Sequence, residues 1–314
     1  MRWELPVGSE SAFSPSSPFA ASIARLFAIT LVVCAVVGAV VVAAIAYSLT
    51  RFRAGPGEVE PPQVNGNRKL EIIWTAVPIA IVTGLFVMSI ETMSRSDPPA
   101  DRAPDLVVVG HQWWWEARYA SGLVTANEIH VPTGKPLLVR LEAADVIHDF
   151  WVPQLARKMD AVPGHPNFFW MSADAPGEYG GACAEYCGTQ HAWMRLLVVA
   201  QTPAAFDAWQ AGQLAPAHAP ASAGATRGER VFRNEACGNC HAIAGRGFEG
   251  RVAPDLTHLA SRSTLGAGVS GDTPGDLTAW LHDPQSIKPG CHMPDFKLAD
   301  AEVDDVATYL EELR

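Results

Sequence analysis

Positive charge is scarce in this sequence: 23 Lys and Arg stand against 33 Asp and Glu, for a net charge of −10. That balance argues against nucleic acid as a partner and leaves a basic partner open. Charged residues of both signs make up only 18% of the 314 residues, and the mean hydropathy is slightly positive. Such a chain is too apolar to be wholly soluble and too long for one ordinary domain. Cysteine is limited to six residues. Four of them stand at metal-type spacing, Cys183 with Cys187 and Cys237 with Cys240, which argues against a disulfide framework. Only Cys34 and Cys291 are left over. There is no internal repeat, and no cleaved signal peptide is expected, because the first apolar run is far longer than a signal core and has only Arg25 close before it.

That first run, LFAITLVVCAVVGAVVVAAIAYSL, spans residues 26 to 49 without a charge, long enough to cross a hydrocarbon core of about 30 Å. Cys34 lies within it as a small apolar residue. A second run covers 72 to 90 and includes Pro78. A buried core helix competes for this run, but a membrane helix tolerates such a proline where neighbours satisfy the freed backbone. Arg51, Arg53, Arg68 and Lys69 lie between the runs, so the loop is expected in the cytoplasm and both termini outside. Residues 1–98 then form an N-terminal segment with two transmembrane helices. Segments such as DLVVVGHQWWWEARY and KPLLVRLEA predict an all-β domain over 99–210. An Ala-, Pro- and Ser-rich linker is expected at 211–225, and a small helical domain at 226–314, where Thr273 and Pro274 suit a helix start.

In ACAEYCGTQHAWM, the residues Cys183, Cys187, His191 and Met194 follow one another at intervals of four, four and three. The spacing would suit a helix face, but Gly188 and Thr189 interrupt it and favour a metal loop. VIHDFWVP adds His148. Zinc gains nothing from a thioether, whereas thiolates, imidazoles and a weak Met ligand suit copper that carries electrons. Two thiolates can bridge two copper ions, leaving one imidazole and one weak ligand for each. The second motif, CGNCH at Cys237 to His241, matches covalent haem attachment: Cys237 and Cys240 form the thioethers and His241 binds iron. A zinc or redox CxxC is the competing reading. The adjacent His and the absence of a second CxxC disfavour it.

CAEYCGTQHAWM, with IHDFWVP and GHQWWW upstream and two preceding spans, resembles cytochrome c oxidase subunit II and its dinuclear CuA centre over roughly residues 20 to 210. The resemblance implies a cupredoxin β-sandwich. It makes Cys183 and Cys187 the bridging thiolates and His148 and His191 the imidazoles. Met194 becomes the weak ligand of one copper and the Glu185 backbone carbonyl that of the other. It further implies that the Glu185 side chain reaches a magnesium ion at the boundary with subunit I, where the residue alone reads as an exposed or loop-bracing carboxylate. Trp113, following GHQ, matches the aromatic through which electrons arrive; plain packing is the alternative. His111, His130 and His165 fit no such role and read as structural or surface residues. Glu71 stands where relatives have the mouth of a proton path, although a carboxylate there also suits the helix dipole.

Residues 226 to 314 resemble a class I cytochrome c domain, fused as in caa-type oxidases, with first and last helices packed across each other. Met293 is its expected distal ligand. Cys291 and His292 also offer donors, but Met ligation raises the potential as downhill transfer requires, and Pro294 keeps residue 293 extended. The resemblance implies a subunit of a proton-pumping oxidase in a bacterial inner membrane, its metal domains on the periplasmic or outer side. Electrons would pass from a donor through haem c and CuA to haem a of subunit I, where oxygen is reduced. Partners would be subunits I and III, membrane lipid, and a donor such as soluble cytochrome c or a quinol-cytochrome c reductase. The haem domain, with fourteen Asp and Glu against nine Lys and Arg, could steer a basic donor. A membrane-tethered shuttle serving a nitrous oxide or nitric oxide reductase is the competing function. Quinol oxidase subunit II is a third, but it would lack the copper ligands.

Overall fold

The computed structural model describes residues 11–314 apart from 54, 58, 60, 61, 64, 65, 99–101 and 272, so the first ten residues and the expected boundary at 99 lie outside the described residues. Two compact units result, one of residues 21–96 and one of the remainder.

The first unit holds two long helices, α1 (Pro18–Arg51), whose first residues belong to the other unit, and α2 (Arg68–Ser96). At 34 and 29 residues they measure about 51 and 44 Å, longer than a hydrocarbon core of about 30 Å. Both run past the expected limits of 26–49 and 72–90, because polar and charged residues at their ends mark the edge of the apolar zone without breaking the helix. Their apolar side chains, such as Val40, Val42, Ile72 and Val82, are exposed, which suits lipid contact.

In the second unit, ten strands form two five-stranded sheets packed as a sandwich. One sheet has the order β3 (Val124–Ala126), β2 (Trp114–Tyr119), β1 (Leu106–His111), β5 (Leu137–Ala143), β8 (Asn167–Met171). The other runs β4 (Glu128–Pro132), β10 (Arg195–Gln201), β9 (Gly177–Cys183), β6 (His148–Trp151), β7 (Met159–Ala161). β1 pairs parallel with β5, Leu106 opposite Val139, and β10 pairs parallel with β4; the other pairs are antiparallel. Inward residues including Leu106, Trp115, Ile129, Leu141, Phe150, Phe169 and Leu196 fill the space between the sheets. The three tryptophans of DLVVVGHQWWWEARY divide: Trp113 lies in the turn before β2, while Trp114 and Trp115 begin the strand and Trp115 enters the core.

α3 (Pro203–Gln213), capped by Thr202, takes in residues 211–213, and α4 (Ala223–Asn234), capped by Ser222, takes in 223–225. The stretch read as linker over 211–225 is thus helical at both ends. Its alanines are good helix formers once a cap starts the helix, and composition alone registers only the proline-rich centre.

The helical domain adds α5 (Pro274–His282), α6 (Pro284–Ile287) and α7 (Asp300–Glu311). The expected helix start at Thr273 is a capping box: its hydroxyl accepts from Asp276 N–H, and the Asp276 carboxylate accepts from Thr273 N–H, each at 3.3 Å. α4 and α7 cross as expected of the first and last helices. The crossing point is Gly228, where a Cβ would sit 1.9 Å from the Asp305 carbonyl oxygen. Phe232, Leu277, Val306, Tyr309 and Leu310 form the core of this domain.

Candidate copper and haem centres

The sandwich brings His148 together with four donors of the 183–194 segment at one end of its second sheet. β9 ends at Cys183, β6 begins at His148, and the two strands pair with Phe150 opposite Cys183. The loop after β9 carries Cys187, a short helical turn begins at His191, and Met194 immediately precedes β10. Gly188 turns the loop at φ +116°, a conformation that side chains disfavour, and a Cβ there would meet the Trp113 ring at 3.0 Å.

The Cys183 and Cys187 sulfurs lie 3.7 Å apart, well beyond a disulfide at about 2.05 Å. His148 Nδ1 is 3.9 Å from Cys183 Sγ, and His191 Nδ1 is 3.7 Å from Cys187 Sγ. Met194 Sδ lies 3.9 Å from Cys187 Sγ, and the Glu185 carbonyl oxygen 3.2 Å from Cys183 Sγ. Each thiol thus has its own imidazole and its own weak donor. His148, Cys183, Cys187 and Met194 are buried, and the donor atoms of the first three lie within 4.8 Å of one another. Two sulfurs flanked symmetrically by nitrogen and weaker donors fit a thiolate-bridged copper pair. Without cations, a bond from Cys187 S–H helps Cys183 lose its proton, and the resulting thiolate together with burial pushes the Cys187 thiol far above its ordinary range.

The surrounding residues orient these donors. Asp145 Oδ1 accepts from His148 Nε2–H at 2.8 Å, which turns Nδ1 toward the sulfurs. The same carboxylate accepts from Val146 N–H at 2.7 Å and, through Oδ2, from Gln112 N–H at 2.6 Å. The Gln112 amide and the Trp113 indole N–H both donate to the Cys187 carbonyl, at 2.7 and 3.0 Å. Asp145 and Gln112 escaped the sequence reading, since bonds spanning 33 and 75 residues leave no spacing pattern.

In the helical domain a cavity of about 250 Å³ is lined by Cys237, Cys240, His241 and Met293 together with Phe232, Leu256, Leu277 and Val306. His241 Nδ1–H donates to the Pro254 carbonyl at 2.7 Å, leaving Nε2 available, and burial keeps the ring neutral, as an iron ligand requires. Met293 comes from a loop and accepts the Trp280 indole N–H on its sulfur at 3.1 Å. An apolar cavity with two thiols, a neutral imidazole and a thioether fits covalent haem c. Cys291 and His292 line the same cavity. So do Gln112, Trp113, Trp114 and Asn127, residues of the β-sandwich that close one side of it. The Trp113 and His292 rings lie 4.9 Å apart.

The Glu185 side chain is exposed and accepts from Tyr186 N–H at 3.2 Å. Glu71 accepts from Asn67 N–H at 3.2 Å in the first turn of α2, as a cap does. His111 stacks on Trp114 and meets Glu116, His130 stacks on Trp209 and meets Glu128, and His165 is exposed; none of the three joins either centre.

Models of three families match the chain. They are "Cytochrome C oxidase subunit II, transmembrane domain" over 9–92, "Cytochrome C oxidase subunit II, periplasmic domain" over 120–201, and "Cytochrome c" over 225–314. Cytochrome c oxidase subunit 2 of Alkalihalophilus pseudofirmus is 35% identical over 316 residues, covering 97% of this chain and 91% of its own. The Bacillus subtilis protein of the same name is 33% identical over 292 residues, covering 85% and 82%. Among solved structures, the periplasmic domain of subunit II of cytochrome oxidase from Bradyrhizobium japonicum is 30% identical, with 37% of this chain and 95% of that chain covered at a TM-score of 0.35. The class is therefore a membrane protein that binds copper in a cupredoxin-like domain and haem c in a cytochrome c domain. Membrane, copper and haem parts follow one another along the chain in the order of the matches. This chain belongs to the cytochrome c oxidase subunit II family.

Proposed function

We propose that the chain is the electron-receiving subunit of a proton-pumping oxidase and that oxygen is reduced elsewhere, at subunit I. When bound, haem c and a dinuclear CuA supply the one-electron carriers between the donor and haem a of subunit I. His148, Cys183, Cys187, His191, Met194 and the Glu185 carbonyl hold the copper pair; Cys237, Cys240, His241 and Met293 hold the haem. The observation that carries this reading is Trp113, which touches both sites: its N–H binds the Cys187 carbonyl at 3.0 Å, and its ring lies 4.9 Å from that of His292, next to Met293. Replacing Trp113 with Leu should slow electron transfer from haem c to copper in the purified complex while both spectra persist. An unchanged rate would remove the tryptophan from the path, and failure of haem a to co-purify would remove the oxidase assignment.

The exposed Glu185 carboxylate is free to reach a magnesium ion at the subunit I boundary, and Glu71, at the expected cytoplasmic end of α2, is proposed as the mouth of a proton path. Subunits I and III, membrane lipid and a soluble cytochrome c or quinol-cytochrome c reductase are the proposed partners, in a bacterial inner membrane. Residues before α1 support an outward N-terminus, since Ser16 N–H donates to the Gln154 carbonyl at 2.8 Å and Ser17 Oγ–H to the Leu155 carbonyl at 2.7 Å, both in the copper domain.

A further inference from the structure

We infer that Lys288 is a positioning residue whose ammonium pegs the haem domain onto the copper domain, holding Trp113 against His292. The inference rests on the haem-to-copper transfer proposed above. Lys288 follows α6 and is 3% exposed, a rare setting for lysine. Its Nζ donates to the carbonyls of Trp113 at 3.0 Å and Trp193 at 3.1 Å, both in the copper domain, and to that of Gly266 at 2.8 Å in its own.

Three acceptors match the three N–H bonds of an ammonium, one more than a neutral amine carries. They favour the charged form even though burial draws the group down to about 7. The charge is therefore held by backbone dipoles from two domains, and withdrawing the haem domain would strip it of two partners out of three. Water would take the place of those two carbonyls on withdrawal, so what favours the docked pose is the net gain of two well-placed charge-assisted hydrogen bonds over hydration.

Its attachment points are functional ones. Trp113 donates to the Cys187 carbonyl, and Trp193 directly precedes Met194. On the other side, the loop that begins at Lys288 runs on to His292 and Met293. Two further bonds share the register: Arg195 N–H to the Ala267 carbonyl at 3.1 Å, and Ser263 Oγ–H to Glu128 Oε2 at 2.6 Å. One side chain thus ties the loop bearing the haem ligand to the loop bearing the copper ligands.

The test uses the purified oxidase complex carrying Lys288→Met. After photoreduction of haem c, its reoxidation and the copper near-infrared absorbance are followed together. Transfer should slow by about tenfold or more, the factor for losing one charge-assisted hydrogen bond from the docked state, with the spectra of both centres retained. An unchanged rate in the variant overturns the inference. Absence of the transfer in the unaltered complex overturns instead the path on which it rests. Lysine acylation of the unaltered complex, read by mass spectrometry, does not depend on the variant assembling. The exposed Lys135, Lys158 and Lys297 should be modified and Lys288 spared. Modification of Lys288 as fast as Lys135 would mean that the haem domain swings free, and would overturn the inference as well.

Discussion

Replacing Asp145 with Asn should weaken copper binding although Asp145 is not itself a ligand. The carboxylate accepts three N–H groups, with His148 and Val146 on Oδ1 and Gln112 on Oδ2. An asparagine has one oxygen and one NH2 group, so keeping the first two bonds turns its NH2 toward the Gln112 N–H, donor against donor. An unsatisfied donor costs about 1–3 kcal/mol, and the bond to His148 loses the assistance of a charge. At about 1.4 kcal/mol per factor of ten, part of that cost reaching the metal gives a loss of about 10- to 100-fold in copper affinity, the range seen when a residue behind a metal-binding histidine is removed. Copper retention against a graded chelator, followed by the thiolate-to-copper absorption of the purified protein, measures it. Glu116→Gln is the control, because Glu116 meets His111 and Arg118 and none of the donors. If Asp145→Asn held copper within about twofold of the unaltered protein, the scatter normal for such comparisons, the argument would fail.

Cys183→Ser and Cys187→Ser should each abolish the mixed-valence copper spectrum and leave the haem spectrum intact; a full copper signal in either would rule out bridging. Met293→Ala should abolish the weak near-infrared band of Met-ligated ferric haem and lower its potential, while Cys291→Ser should change neither, and the reverse pattern would move the ligand to Cys291. Gly228→Ala should destabilise the haem domain by about 3 kcal/mol or more, since the new methyl meets backbone at Asp305 that no rotamer change can relieve. Thermal unfolding followed at the haem absorbance checks this, and an unchanged midpoint would show that α4 and α7 can part without cost.

The candidate copper and haem ligands were legible in the sequence because most lie close together in the chain. Cys183 to Met194 occupy one loop and CGNCH is contiguous, so the chemistry of the donors shows in their spacing. The two long helices were legible for a similar reason, as uninterrupted apolar runs. Lys288 was not, because its three acceptors are carbonyls, which every residue has, and two of them lie 175 and 95 residues away. Asp145 was hidden likewise, as a polar residue in a turn before β6 whose role depends on where Gln112 falls. The helical ends of the 211–225 stretch were hidden because single caps, Thr202 before α3 and Ser222 before α4, decide where each helix starts, and α3 then runs on through alanine-bearing sequence to Gln213.

The sandwich residues that close one side of the haem cavity also affect how this haem must be measured. Cut free from the copper domain, the haem domain would present to bulk water a face that Gln112, Trp113, Trp114 and Asn127 otherwise cover. Water solvates the ferric charge better than indole rings do, so the excised domain would titrate at a lower potential than the same haem in the intact chain. A midpoint taken on the fragment therefore belongs to a different reference state, and the driving force toward copper is defined only with both domains present.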